Sequence, residues 1–326
     1  MNKTAIPRVW LLLGQKAGDN NQVLALAEQL GWPWESKHIV NRSTELLSNL
    51  LLPVTLAGID RQRSSALAAP WPDLIISSGR RNEPVARWIR QQSGSRTRLV
   101  HIGRPWAPLA VWDLIVTTPQ YFLPQADNIL HNRLPLHRIS PDQLSALKND
   151  QQPWSRLPRP YPAALLGRDR EQFVFTKLPS PYTAVLLGGD SGQFVFTREK
   201  GERLGRLVNA LVQDKGGSLL ATDSRRTPTD ASDGFWSQIA VPAFRHSWQG
   251  GSGVNPYQHY LAMADRFVVT GESMSMLAEA QSTGKPLFIF DLADKPGQWW
   301  LQTHNFRYKP LSHRLAMTWG PQRMRR

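Results

Sequence analysis

Short, continuous apolar runs recur along the chain, and each ends in a polar turn. Val9 to Leu13 runs into Gly14, and the centres of 71–81 (WPDLIISSGRR), 98–105 (RLVHIGRP) and 112–121 (WDLIVTTPQY) repeat the form. In the second half, Ser218 to Thr222, Phe267 to Thr270 and Leu287 to Phe290 do the same. Runs of this length without apolar–polar alternation predict strands covered on both faces, hence parallel sheets. Helical segments are predicted between them, from about Gln22 to Leu30, from Glu83-Pro84 through Arg90, from Glu199 to Asp214, from Asn255-Pro256 to Ala264, and from Ser275 to Ser282. The segment around Phe244 gives only a weak signal. Strands alternating with helices predict doubly wound α/β domains.

Ligands in open α/β sheets bind beyond the carboxyl ends of the strands, so the strand-end turns are the candidate chemistry. Lys16, Asp19, Asn20, Asn21 and Gln22 follow the first strand, without the G-x-G-x-x-G spacing of a dinucleotide loop. Ser78, Gly79, Arg80, Arg81, His101, Arg104, Thr117, Thr118 and Gln120 end the next three. A solvated βα turn explains the same residues without a ligand. From Arg80 to Arg104 seven arginines stand against one acid, Glu83, which fits a phosphate or phospholipid patch, or a solvated basic face. Lone His101 reads as a strand-end hydrogen-bonding residue, since no second ligand stands at metal spacing.

The stretch 265–290 carries the densest signal. Thr270-Gly271-Glu272-Ser273-Met274-Ser275 sits at a helix start, where unpartnered amides and the dipole favour an anion. Glu279, about a turn into that helix, can reach a sugar hydroxyl.

A near-exact repeat divides the halves: 157–177 (LPRPYPAALLGRDREQFVFTK) is followed by 178–198 (LPSPYTAVLLGGDSGQFVFTR). The second copy keeps glycines at 188, 189 and 192 where the first has charges, so the second is expected to hold the working strand and its phosphate-facing loop. The expected division is an N-terminal domain 1–152, a proline-rich linker 153–177, a C-terminal domain 178–305 and a basic tail 306–326.

A chain of 326 residues suits two such domains. The formal charge of +14 favours anionic partners. Nucleic acid is the least expected of these, because the basic residues form no recognition module. The absence of cysteine excludes disulfides and thiol chemistry. No run approaches the roughly 18 apolar residues of a span, and the first residues do not read as a signal peptide. The apolar stretch Ser43 to Ile59 reads as a helix packed on the N-terminal sheet; contact with a membrane surface, with Arg61 and Arg63 as its cationic flank, is the alternative. The expected location is cytoplasmic or on the inner face of a membrane.

The loops Gly14–Gln22, Gly188–Gly192 and Thr270–Glu279 resemble the three ligand loops of GT-B glycosyltransferases. In layout they are similar to the lipid II N-acetylglucosaminyltransferase. That resemblance implies two Rossmann-like domains facing a cleft, and a nucleotide-diphosphate sugar as donor substrate with no cofactor and no metal. It also implies a ribose contact by Glu279, ahead of Gly284-Lys285-Pro286. The position of the family's catalytic histidine falls on Asp19, a carboxylate able to serve as base. Thr270, Gly271, Ser273 and Ser275 would face the diphosphate, with Gly188, Gly189 and Ser191 beside it and Arg225 and Arg226 as charge partners. Lys16, Asn20, Arg80, Arg81, His101 and Gln120 would line the side of an anionic or lipid-linked acceptor.

Across nearly the whole chain the ordered phrases GQKAGDNNQ, SSGRR, HIGRP, TTPQY, PLHR, LLGGDSG, TDSRRTP and TGESMSMLAEA resemble the mitochondrial-fission "elongated mitochondria" family. That resemblance implies a second function, a non-catalytic adaptor at a membrane surface. A third, a nucleotide-sugar epimerase, would be of the two-domain type, because the G-x-G-x-x-G and Tyr-x-x-x-Lys of the dehydrogenase type are absent.

Overall fold

The computed structural model describes residues 6–42, 54–149, 178–191, 194–248 and 255–292. They form two compact units that divide at Arg138/Ile139.

The N-terminal unit is built on β1 (Val9–Leu13), β2 (Trp34–His38), β3 (Leu74–Ser78), β4 (Arg98–Ile102), β5 (Leu114–Thr117) and β6 (Ile129–His131), with α1 (Ala17–Leu30) and α2 (Glu83–Gln92). The sheet order is β2-β1-β3-β4-β5-β6 and every pairing is parallel. All five residues of β1 are buried, and its side chains alternate between two cores. Trp10 and Leu12 join Ile75, Leu99, Ile115 and the α2 residues Val85, Ala86 and Ile89. Val9, Leu11 and Leu13 join Ile76, Ile102 and the α1 residues Val23 and Ala27. Each such side chain contributes about 1.5–3 kcal/mol on burial, and for that reason the strand reads as an unbroken apolar run.

The C-terminal unit holds α3 (Pro141–Asn149), β7 (Tyr182–Leu186), α4 (Arg198–Lys215), β8 (Ser218–Thr222), α5 (Thr229–Trp236), β9 (Ala243–His246), α6 (Tyr257–Met263), β10 (Arg266–Thr270), α7 (Met274–Ser282) and β11 (Leu287–Phe290). Its order is β11-β10-β7-β8-β9, again parallel throughout. One face packs Val185, Leu219 and Val268 on α4 and α5; the other packs Ala184, Leu220, Phe267 and Val269 on α6 and α7. Lys285 fastens the latter layer by donating to the carbonyls of Leu261 and Ala262 at the end of α6, at 3.3 and 2.8 Å. A cation there also complements the helix dipole.

Both units are therefore doubly wound α/β, as expected, and three details differ from the sequence reading. The division falls at 138/139 rather than 152/153, because Ile139 and Leu144 pack into the second unit's core. Helix α1 starts at Ala17, not Gln22. The Asn20 side chain accepts from Gly14 N–H and donates to Gly14 O, both at 2.9 Å, so the helix begins one clasp after the strand. Strands β2, β6 and β9 were not foreseen or gave a weak signal, and all three are sheet edges. Strand β7 lies in the second copy of the repeat; the first copy, the linker 153–177 and the tail 306–326 lie outside the described residues. Of the apolar stretch Ser43 to Ile59, residues 43–53 also lie outside, while Leu56 and Ile59 are buried in the N-terminal core. Among the described residues no helix is long and apolar enough to cross a membrane.

Candidate functional site

In each sheet the strand order reverses direction at one point, between β1 and β3 in the first unit and between β7 and β10 in the second. The loops leaving those strand pairs open a crevice at the carboxyl edge.

In the C-terminal unit the chain leaves β7 through Leu187-Gly188-Gly189 and leaves β10 through Gly271-Glu272-Ser273. The two loops are bonded together: Gly188 N–H donates to Thr270 Oγ1 at 2.8 Å and Gly189 N–H to Glu272 Oε1 at 2.6 Å. A side chain at Gly188 would collide with the Glu272 carboxylate, and one at Gly189 with the Arg226 carbonyl. These are close approaches that only glycine permits. The third wall comes from the loop after β8. Ser224 Oγ and Thr227 Oγ1 both donate to Gly188 O, and Asp190 N–H donates to Arg226 O at 3.2 Å.

Glu272 is 9% exposed, and its Oε2 is buried with no hydrogen-bond partner among the described residues. Burial raises its pKa, against the Gly189 N–H, the Arg226 charge and the Thr270 hydroxyl. Sequence reasoning treated Glu272 as part of a loop and missed this role. Its signal is an acid between Gly271 and Ser273, at a position where a loop facing an anion has no use for one. Gly188 and Gly189 thus spend their amides on Thr270 and Glu272.

Helix α7 begins at Met274 with Ser273 as its N-cap, whose side chain makes no capping bond. Its first amides thus lack partners within the helix. Ser273 is buried and Ser275 is partly exposed, at the same end. One turn further, Glu279 is 7% exposed and accepts a hydrogen bond on Oε2 from the Tyr257 hydroxyl of α6. Burial raises the Glu279 pKa, opposed by that hydrogen bond, and burial together with the Glu279 charge raises the Tyr257 pKa. No hydrogen bond to Glu279 Oε1 occurs among the described residues, so one carboxylate oxygen is oriented and the other is available. Tyr257 is the second residue that the sequence did not disclose.

Of the remaining expected residues, Arg226 bonds the Asp190 carbonyl at 3.2 Å and Arg225 is exposed. Ser191 closes a narrow loop with Phe194 through two 3.0 Å bonds.

In the N-terminal unit, Asp19 stands in the first turn of α1, 3.9 Å from Lys16 Nζ. A Cβ on Gly79 would lie 2.8 Å from Asp19 Oδ2, so Asp19 spans the β1–β3 crevice. Asn20 is committed to its clasp on Gly14. Arg80 lies over the Trp106 ring at 4.8 Å; Arg81 and Gln120 are partly exposed. His101, expected at the acceptor side, is fully enclosed. Its Nδ1 lies 3.3 Å from Ser77 Oγ and its ring lies against Trp112. Burial pushes its pKa down to about 3 despite the Asp19 charge, so the imidazole is neutral at neutral pH. The buried acid here is Glu83, which accepts from the amides of Trp106 and Ala107 at 2.8–2.9 Å; burial lifts its pKa to about 7 against those bonds and the Arg87 and Arg80 charges.

A curated relative, the mitochondrial fission protein ELM1 of Arabidopsis thaliana, is 25% identical over 287 residues, covering 78% of this chain and 61% of its own length. This chain thus spans less than two thirds of that relative. An uncharacterized protein of Rickettsia prowazekii is 24% identical over 324 residues, covering 86% of this chain and 82% of its own. Among solved structures, Acinetobacter baumannii MurG superposes with a TM-score of 0.40 at 12% identity, over 96% of this chain and 92% of its own. The model of the family Mitochondrial fission ELM1 matches residues 17–177 and 168–309, two stretches that overlap inside the first repeat copy. Those matches span most of the sequence, and the chain belongs to the Mitochondrial fission ELM1 family.

Proposed function

We propose that the chain binds a nucleotide-diphosphate sugar at the β7–β10 crevice and transfers the sugar in the manner of a metal-independent GT-B glycosyltransferase. The observation that carries this reading is the carboxyl edge of the second sheet. An uncapped helix start (Gly271, Ser273, Ser275, with Thr270) stands one turn from a buried carboxylate whose Oε1 is available. The amides and the helix dipole suit a diphosphate, and Glu279, held by Tyr257, suits a vicinal ribose diol. Arg225 and Arg226 supply positive charge as the diphosphate leaves, an electrostatic task. Asp19 is the proposed base in the N-terminal unit, with Lys16, Arg80, Arg81 and Gln120 toward an anionic or lipid-linked acceptor. Under this reading the protein works in the cytoplasm, at the inner face of a membrane.

A thermal-shift screen with UDP, ADP, GDP and their sugars tests it, since a ligand bound only by the folded state raises the melting temperature. A rise with one nucleotide and its sugar, absent in Glu279→Gln, is expected; no rise with any of them overturns the reading.

One observation favours a second reading, a non-catalytic adaptor of the fission family. Thr270 and Glu272 already occupy the Gly188 and Gly189 amides, as a loop that no longer receives phosphate would have them.

A further inference from the structure

Two nearly identical stretches, 157–177 and 178–198, precede a single strand position, and β7 (Tyr182–Leu186) fills it from the second. Matched residue by residue, the first copy carries Pro162 for Thr183, Ala164 for Val185, Arg168 for Gly189 and Arg170 for Ser191. Tyr161, Leu165, Gly167 and Asp169 repeat Tyr182, Leu186, Gly188 and Asp190. Either copy could thus satisfy most of the position, and the differences decide between them.

β7 is the central strand of its sheet, between β10 and β8. Thr183 stands in both registers, opposite Arg266 and Leu219. Proline has no N–H for such a ladder and is confined to edge strands, strand starts and bulges, so Pro162 is out of place inside a strand paired on both sides. Val185 is fully buried against α4 and α5, where alanine would leave a void. At Gly189 any Cβ would collide with the Arg226 carbonyl and lie 2.6 Å from Thr227 N. That backbone is held in place, because Asp190 N–H donates to Arg226 O at 3.2 Å and Thr227 N–H to Ser224 O at 2.9 Å. Arg168 has no room there.

We infer that Pro162 and Arg168 bar the first copy from the β7 position, so that residues 157–177 are surplus both to the C-terminal fold and to the β7–β10 crevice. This holds whether or not the crevice binds nucleotide. Two deletions in the full chain test it, each leaving one copy and the same length of connection. Removal of 157–177 keeps the second copy, and removal of 178–198 keeps the first. A third variant adds Pro162→Thr and Arg168→Gly to the second deletion, and all three are compared with the parent by thermal unfolding.

Removal of 157–177 is expected to leave the melting temperature of the parent unchanged. Removal of 178–198 should lower it by about 10 °C or more, or abolish the cooperative transition. The two substitutions should restore most of that loss, because they return a ladder N–H to the strand and space beside the Arg226 carbonyl. Equal melting temperatures for the two deletions would overturn the inference, as would a fall on removing 157–177. So would a doubly substituted variant that melts no higher than the deletion it was built on.

Discussion

The carboxyl edges of the two sheets start from one plan and end with opposite fittings. In the first unit the β1 turn has slack: a Cβ on Gly14 would meet Asn82 Nδ2 at 3.5 Å, an ordinary contact. Near it Asn20 clasps Gly14 locally, and His101 is enclosed and neutral. In the second unit the β7 turn has no slack, and a buried carboxylate, Glu272, is wedged between two strand-end loops. A doubly wound sheet thus fixes where a crevice forms but not its charge. That is decided by a few turn residues whose side chains cross from one strand end to the next.

Substitution at the two glycines should break this contrast most visibly. Gly189→Ala forces a methyl into the Arg226 backbone, and overpacking of that kind costs about 1–3 kcal/mol. We expect a loss near the upper end by urea unfolding. Gly14→Ala should cost less than about 1 kcal/mol by the same measurement. Equal losses would dissolve the distinction.

The buried acid of the first unit gives the next effect. Unfolded, Glu83 releases its proton near its ordinary 4.5, whereas folded it holds it until about 7. Its contribution is therefore complete below pH 4.5 and is lost as pH rises to 7. At about 1.4 kcal/mol per pH unit this amounts to about 3 kcal/mol. Unfolding free energies of Glu83→Gln, compared with the parent between pH 4.5 and 8, should show the variant gaining on it as pH rises.

Glu272→Gln should behave alike in the second unit, where burial raises the carboxyl's pKa against the Arg226 charge. Its stability relative to the parent should rise with pH above 4.5; a fall would mean that the pairing with Arg226 outweighs burial.

The sequence disclosed the central strands because burial on both faces makes them uninterrupted apolar runs, as in VWLLL and LIISS. It concealed β2, whose WESKH is mostly exposed at a sheet edge, and likewise the short edge strand β6. The helix start at 273–275 and Glu279 could be read, because spacing along a helix is local. Tyr257 and Glu272 could not be assigned roles. Tyr257 meets Glu279 from another helix, 22 residues away, and Glu272 meets Gly189 from 83 residues away. No periodicity in the sequence encodes contacts between elements.

Calorimetric titration of UDP into the parent chain, Glu279→Gln and Asp19→Asn tests the central claim most directly. Saturable binding is expected in the parent, at least tenfold weaker (about 1.4 kcal/mol) in Glu279→Gln and unchanged in Asp19→Asn. Because burial raises the Glu279 pKa, binding to the parent should also weaken on acidification as the carboxylate takes up its proton. Equal affinity in the parent and Glu279→Gln, or no heat with UDP, ADP or GDP at millimolar concentration, would contradict the account.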